Sequence, residues 1–376
     1  CGDFYEFFDD DAETVAAELD LKVSQKSSHG SSYPMAGVPV DDLTPYVSAL
    51  VERGYRVAIA DQYETDDGHA REITRVVSPG TLLETTDAEA QYLAAIVHDG
   101  GVYGLAFADV TTGQFHATQA AGEDATDELF SELYRFDPVE VLPGPDARTD
   151  DGLLEQLRDR TGATLTLHAT EAFAPGRARH RVREQFGEET LESVGLADQE
   201  AAVRAAGAAL SYVEETGAGV LASMTRLQTH GQSEVVELDA TTQRNLELTE
   251  TMQGDRDGSL AATIDHTVTS AGSRLLTEWL RRPRHSRETL RRRHSAVAAL
   301  TEAAMARDRL REVLDGAYDL ERLASRAASG TADPRDLRAA GDTLALLPDV
   351  GDLVTGTERL AGSALADVLD PVDHGA

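Results

Sequence analysis

Along "FYEFF" at 4–8 an extended chain projects Phe4 and Glu6 to one side and Tyr5 and Phe7 to the other, so one face can join a core while the other presents a ring beside an acid. The next stretch, "DDDAETVAAELDL", changes period: Val15, Ala16 and Leu19 recur at helical spacing, and acids fill the first turn, where the helix dipole favours them. "VSQKSSHGSSYPMAGVPV" reads as turn-rich because of Pro34, Gly37 and Pro39. A second helix, "LTPYVSALVERGY", ends at Gly54. Two strands follow, "RVAIADQ" and "REITRVVSPGT", the latter closed by Pro79 and Gly80. The pattern predicts a small mixed α/β domain over 1–84 and a polar linker at 85–91.

The run "QYLAAIVHDGGVYGLAFADVTTGQFHATQA" predicts three strands joined by Asp-Gly-Gly and Thr-Thr-Gly turns, which is hairpin chemistry. A helix ("DATDELFSELYRF"), a short strand ("VEVLPG") and a further helix ("DGLLEQLRDRTG") continue a sheet flanked by helices, giving a second α/β domain over 92–196. From 197 to 376 the pattern is helical, through "DQEAAVRAAGAALSYVEET", "LDATTQRNLELTETM", "AGSRLLTEWLRR", "SRETLRRRHSAVAALTEAAMARDRLREVL" and "PRDLRAAGDTLALL". The expected fold class is multidomain α/β plus α. No apolar run is long enough for a membrane span, and we expect a soluble cytoplasmic protein without a membrane partner. The chain starts inside the expected first strand without an initiator Met, and we expect an N-terminal portion of a longer protein whose first domain is truncated.

Charge changes the picture in one respect. The net charge is −33, from 67 acidic and 34 basic residues, and only Lys22 and Lys26 are lysines. A carboxylate-rich, lysine-poor chain fits a protein working in multimolar salt, where a screening length of roughly 3 Å at 1 M suppresses self-repulsion. Net charge then says little about partners, because a local cationic or aromatic contact acts inside that range. Cys1 is the sole cysteine, which removes a disulfide framework and a multi-thiolate metal site, and no histidine pair has ligand spacing on one helix face.

Six stretches, in order, carry a resemblance: "GDFYEFF" at 2–8, "YPMAGVP" at 33–39, "RVVSPGT" at 75–81, "LDATTQRNLELTETM" at 238–252, "TVTSAGSRLLTEWLRRP" at 267–283 and "DLERLASRAASGTADPRDL" at 319–337. Together they resemble the MutS family of DNA mismatch-repair proteins. The resemblance implies a mismatch-recognition domain, an RNase H-like connector and the first part of a helical core or lever domain. Its Phe-x-Glu motif falls on Phe4-Tyr5-Glu6: Phe4 is the expected wedge into the minor groove, and Glu6 the expected hydrogen-bond partner of a mispaired or looped base.

Those residue types suit that chemistry. Unstacking a base step costs a few kcal/mol, less where pairing is already defective, so an apolar wedge selects weak points. A carboxylate near phosphates is repelled by ordinary duplex unless a base donates to it. Taken alone, the stretch reads better as an edge strand with a buried Phe and a solvated Glu; the other five stretches reverse that preference. By resemblance Met35 sits beside the wedge, while Lys26 is either a phosphate contact or a solvated side chain. The chain departs from the family at Val40 and Asp41, where an aromatic and a His often stand.

Two rival readings remain. Asp109 ends a strand before Thr-Thr-Gly, as in nucleases that hold Mg²⁺ on carboxylates, although an Asp there also stabilises the turn itself. A MutS-like factor binding branched DNA is the other, but such relatives generally lack the Phe and Glu pair. The arginines 281, 282, 284, 287, 291, 292 and 293 form the most basic patch, suited to phosphates or to ion pairs with neighbouring acidic helices. Neither lysine belongs to a Gly-rich Gly-Lys-Ser/Thr loop. The resemblance therefore implies that ATP and Mg²⁺, the clamp and the homodimer contacts belong to a C-terminal region beyond this chain. It likewise implies mismatched double-stranded DNA and a MutL-like downstream factor as partners.

Overall fold

A computed structural model describes residues 4–28, 31–65, 68–82, 91–216, 219–229, 236, 238 and 240–369. The expected linker lies largely outside them. The first unit contains β1 (Phe4–Phe8), α1 (Asp9–Leu19), β2 (Ser24–Ser28), β3 (Ser31–Pro39), α2 (Leu43–Val51), β4 (Val57–Thr65) and β5 (Gly68–Val77). β1, β3 and β2 form an antiparallel sheet in that order, and β4 pairs with β5 as a separate hairpin. Phe7 turns inward with Val15, Val47, Leu50, Val51, Val57 and Val77, and Ala36 and Val38 of β3 are fully buried. Burying each large aliphatic side chain contributes about 1.5–3 kcal/mol, which is what closes α1 and α2 over this face.

The stretch read as turn-rich is two strands. Pro34 and Pro39 suggested turns, yet Pro39 is the last residue of β3, where a missing N–H costs little. The alternation of Ala36 and Val38 against Tyr33, Met35 and Gly37 overrides the breakers, because one face has a core to join.

The second unit is a six-stranded sheet of order β10-β9-β6-β7-β8-β11, with β6 (Tyr92–Asp99), β7 (Val102–Asp109), β8 (Gln114–Ala120), β9 (Glu140–Pro143), β10 (Thr164–Leu165) and β11 (Leu227–Gln228). β6, β7 and β8 are antiparallel; β9, β10 and β11 join in parallel. The expected turns are there, with positive φ at Gly100, Gly101 and Gly113. Alternate residues feed opposite layers: Leu93, Ala95, Ala106 and Ala108 on one side, Ala94, Ile96, Leu105 and Phe107 on the other. Around the sheet lie α3 (Ala125–Phe136), α4 (Asp151–Arg160), α5 (Pro175–Phe186), α6 (Thr190–Ser193) and α7 (Glu200–Glu215).

The sequence pattern assigned α7 to the helical region beginning at 197. It packs instead across β6 and β7, with Ala202, Ala205, Ala206 and Ala209 fully buried. A Cβ at Gly104 would lie 2.0 Å from the Ala201 carbonyl, so glycine permits the close approach. The α/β layer accordingly runs past 196 and takes up β11 as an edge strand.

The remaining helices are α8 (Ala240–Asn245), α9 (Leu260–Ile264), α10 (Ser270–Arg281), α11 (Arg287–Glu302), α12 (Ala304–Leu314), α13 (Leu320–Ala328), α14 (Pro334–Leu344), α15 (Leu347–Gly356), α16 (Glu358–Ala361) and α17 (Ala364–Leu369). Two expectations change. The helix drawn over 238–252 stops at Asn245, and the helix drawn over 286–314 is two, broken at Ala303 (φ −102°, ψ 56°). Hydroxyl and carboxylate caps start several helices: Thr269, Ser286, Asp319 and Asp333 each accept a backbone N–H of the first turn. No helix among the described residues is long and apolar enough to cross a membrane.

Candidate nucleic-acid interface

Cross-strand register assembles the expected site residues on one face. Phe4 stands opposite Pro39, Glu6 opposite Gly37 and Phe8 opposite Met35, while on the far side of β3 Met35 faces Ser24 and Tyr33 faces Lys26. Because side chains alternate, Phe4, Glu6, Phe8, Tyr33, Met35 and Lys26 share the sheet face opposite α1 and the core. Phe4 is 54% exposed on the outer strand. Glu6 and Met35 are half-buried. Gly37 leaves the face beside Glu6 open; a Cβ there would touch the Phe4 ring at 3.6 Å.

An ion pair reaches diagonally over this face from β2 to β1. The Lys26 ammonium donates to Glu6 Oε2 at 2.6 Å and lies 5.5 Å from the centre of the Phe8 ring, which meets Tyr33 edge-on at 5.7 Å. The Lys26 hydrogen bond, against the cost of partial burial, and the Lys26 and Arg71 charges hold the Glu6 carboxyl below its ordinary range. On the reverse face Tyr5 donates to Asp61 of β4 at 2.6 Å, tying β1 to the hairpin. That bond, with burial, raises the Tyr5 hydroxyl pKa and keeps it a donor.

A second constellation lies between the first two units, and the sequence reading missed it. Glu140 of β9 is fully buried. Its Oε2 accepts from the Ser78 hydroxyl at 2.6 Å and the Gly80 amide at 2.9 Å; its Oε1 accepts from Thr166 at 2.5 Å and Tyr212 at 2.9 Å. The "RVVSPGT" stretch is thus a plug against the six-stranded sheet. The Val76 amide donates to the Thr216 carbonyl at 3.1 Å, and Arg56 lies over the Tyr212 ring. The available signal was a carboxylate inside the otherwise apolar "VEVLPG".

Asp109 is fully buried, and its carboxylate accepts from the Thr111 amide and hydroxyl and from the Thr112 hydroxyl at 2.7–2.8 Å. Burial raises its pKa against those bonds. This is turn chemistry, and among the described residues no three His, Cys, Asp or Glu side chains are placed to share a metal ion. The same turn docks the helical region, since Ser325 of α13 donates to the Val110 carbonyl.

The arginine stretch is largely engaged within the protein. Arg281 bonds Asp137 and the Arg135 carbonyl, Arg292 faces Asp367 at 3.8 Å, and Arg293 lies 3.4 Å from the centre of the Trp279 ring. Arg287 and Arg291 are exposed. In the helical region Arg274 of α10 forks onto Asp319 and also bonds Glu321, joining α10 to the start of α13.

Comparison with known proteins follows this division. MutS domain I matches residues 1–86, MutS domain II 91–225 and MutS domain III 241–373, so the second match takes in α7. The chain is 69% identical over 381 residues to the DNA mismatch repair protein MutS 1 of Haloarcula marismortui, covering all of this chain and 41% of that protein. It is 63% identical over 377 residues to MutS 1 of Halobacterium salinarum, covering all of this chain and 43% of that one. Identity to the DNA mismatch repair protein MutS of Synechococcus elongatus is 40% over 375 residues, covering 94% of this chain and 42% of that protein. The chain thus spans about two fifths of the length of these curated relatives. With three domain matches in order over most of its length, and with relatives this similar across the whole chain, it belongs to the MutS family.

Proposed function

We propose that this chain is the mismatch-sensing part of a DNA mismatch-repair protein that binds mispaired or looped duplex, with Phe4 as the wedge and Glu6 as the hydrogen-bond acceptor for the disturbed base. The observation that carries the reading is Phe4 itself: a large ring left 54% exposed on an outer strand, on the same face as Glu6. An apolar ring so placed gains by entering a base step, and gains most where stacking is already weak. Met35 shares the face and offers a soft apolar surface to the groove.

The α/β connector, RNase H-like in this reading, carries the sensor on the Glu140 joint, and the helical region acts as a lever. ATP and Mg²⁺, clamp closure, homodimer contacts and recruitment of a MutL-like factor belong to residues beyond this chain. The engagement of Asp109 in its own turn favours sensing over a nuclease reading. The test is Phe4→Ala in the full-length protein, with the ratio of heteroduplex to homoduplex affinity measured at matched molar salt. A fall of about fivefold to 150-fold is expected, from about 1–3 kcal/mol of lost base–aromatic stacking. An unchanged ratio removes the wedge.

A further inference from the structure

Lys26 has two chemical options on this face: to meet a DNA phosphate, or to act through Glu6. We propose that Lys26 is a positioning residue for Glu6, taking Oε2 and leaving Oε1 as the acceptor presented beside the Phe4 ring. The inference rests on the reading of Phe4 and Glu6 given above and deepens it by naming what sets the specificity of the acid.

The geometry points this way on three counts. The pair reaches diagonally across β3 from Glu6, opposite Gly37, to Lys26, opposite Tyr33, so the long Lys26 side chain is extended along the face toward β1. The Lys26 ammonium also lies 5.5 Å from the centre of the Phe8 ring, which Tyr33 packs from the edge, so a second contact favours the same placement. Among the described residues, Lys26 is the only side chain that hydrogen-bonds Glu6, and it engages one oxygen alone.

Two consequences follow for binding. An isolated carboxylate pressed against phosphates would swing away, which loses the acceptor, or take up a proton, which weakens the acceptor and adds a donor that no longer selects a donating base. The Lys26 contact opposes both by fixing the rotamer and favouring the ionised form. Neutralising the acid locally also keeps its repulsion of ordinary duplex short-ranged, so that the difference between duplexes comes from whether a base donates to Oε1.

A double-mutant cycle on the full-length protein separates the options, with Glu6→Ala, Lys26→Met and the double variant measured on matched hetero- and homoduplex over a series of KCl concentrations. For a positioning role, Lys26→Met lowers the hetero-to-homoduplex ratio about threefold to tenfold. In the Glu6→Ala background the same change is nearly silent, and Lys26→Arg restores most of the ratio. If Lys26 meets a phosphate, both duplexes weaken equally in both backgrounds and the salt slope falls by about one, which overturns the proposal. Lys26→Gln, with the ammonium replaced by a shorter neutral amide, provides the same comparison should the Met variant fold poorly. Failure of the underlying reading is distinct: Glu6→Ala alone would then leave discrimination unaltered.

Discussion

Replacing Glu140 by Leu tests how the first α/β unit is held to the second. The side chains are close in size, so the change removes acceptors rather than volume. Four donors converge on the carboxylate: the Ser78, Thr166 and Tyr212 hydroxyls and the Gly80 amide. A buried donor left without a partner costs about 1–3 kcal/mol. Ser78 already lies 2.9 Å from the Thr81 hydroxyl and can turn to it, whereas the Gly80 amide is fixed by the backbone. Relief of carboxylate burial offsets part of the remainder, leaving a net loss of about 3 kcal/mol.

That is a large share of the 5–15 kcal/mol typical of a domain. Hydrogen exchange in molar KCl reads it locally. The Gly80 and Val76 amides, which bond Glu140 and the Thr216 carbonyl, should exchange about a hundredfold faster, while β6 and β7 keep their protection. Glu140→Gln provides the control. Its amide oxygen can face Ser78 and Gly80 and its NH₂ can donate to the rotated Thr166 and Tyr212 hydroxyls, for a loss of about 1 kcal/mol. Unchanged Gly80 exchange in Glu140→Leu, with stability within 1 kcal/mol of wild type, would refute the idea that this carboxylate holds the joint.

Further outcomes concern the turn and the helical region. Asp109→Ala should destabilise by about 2–4 kcal/mol in urea unfolding, and Asp109→Asn by at most about 1 kcal/mol, since an amide keeps both Thr111 bonds. Mg²⁺-dependent DNA cleavage that disappears in Asp109→Asn would instead restore the nuclease reading. Arg274→Met leaves Asp319 half-deprived of partners in a mostly buried setting and should cost about 3 kcal/mol. Burial raises the Asp319 pKa, but the Arg274 bond and charge overcome it and hold the carboxyl below its ordinary 3.8. The stabilisation is therefore complete above that value and is lost as pH falls through the lowered one. Acid unfolding of the wild type should show this decline, and the variant should lack it.

Residues adjacent in sequence carried their own information. The alternation at 4–8, the glycine turns at 100–101 and 113 and the helix of α1 are short-range patterns, and each was legible because neighbouring side chains alone decide which face meets a core. The pairing of Phe4 and Glu6 on one face follows from strand period alone. Pro34 and Gly37 misled for the same reason: local breakers argued for turns, and only a core beneath Ala36 and Val38 made β3 the better choice. The alanine-rich α7 carries helical periodicity in any setting, so nothing local told that it would lie on Gly104 of the six-stranded sheet. Lys26 and Glu6 are 20 residues apart, and Glu140 is 62 from Ser78. Such contacts depend on strand register and on how one unit docks against another. Chain sequence determined which elements form and which chemistry they carry; tertiary packing decided which charges face each other, because burial and desolvation exist only once distant segments close around a group.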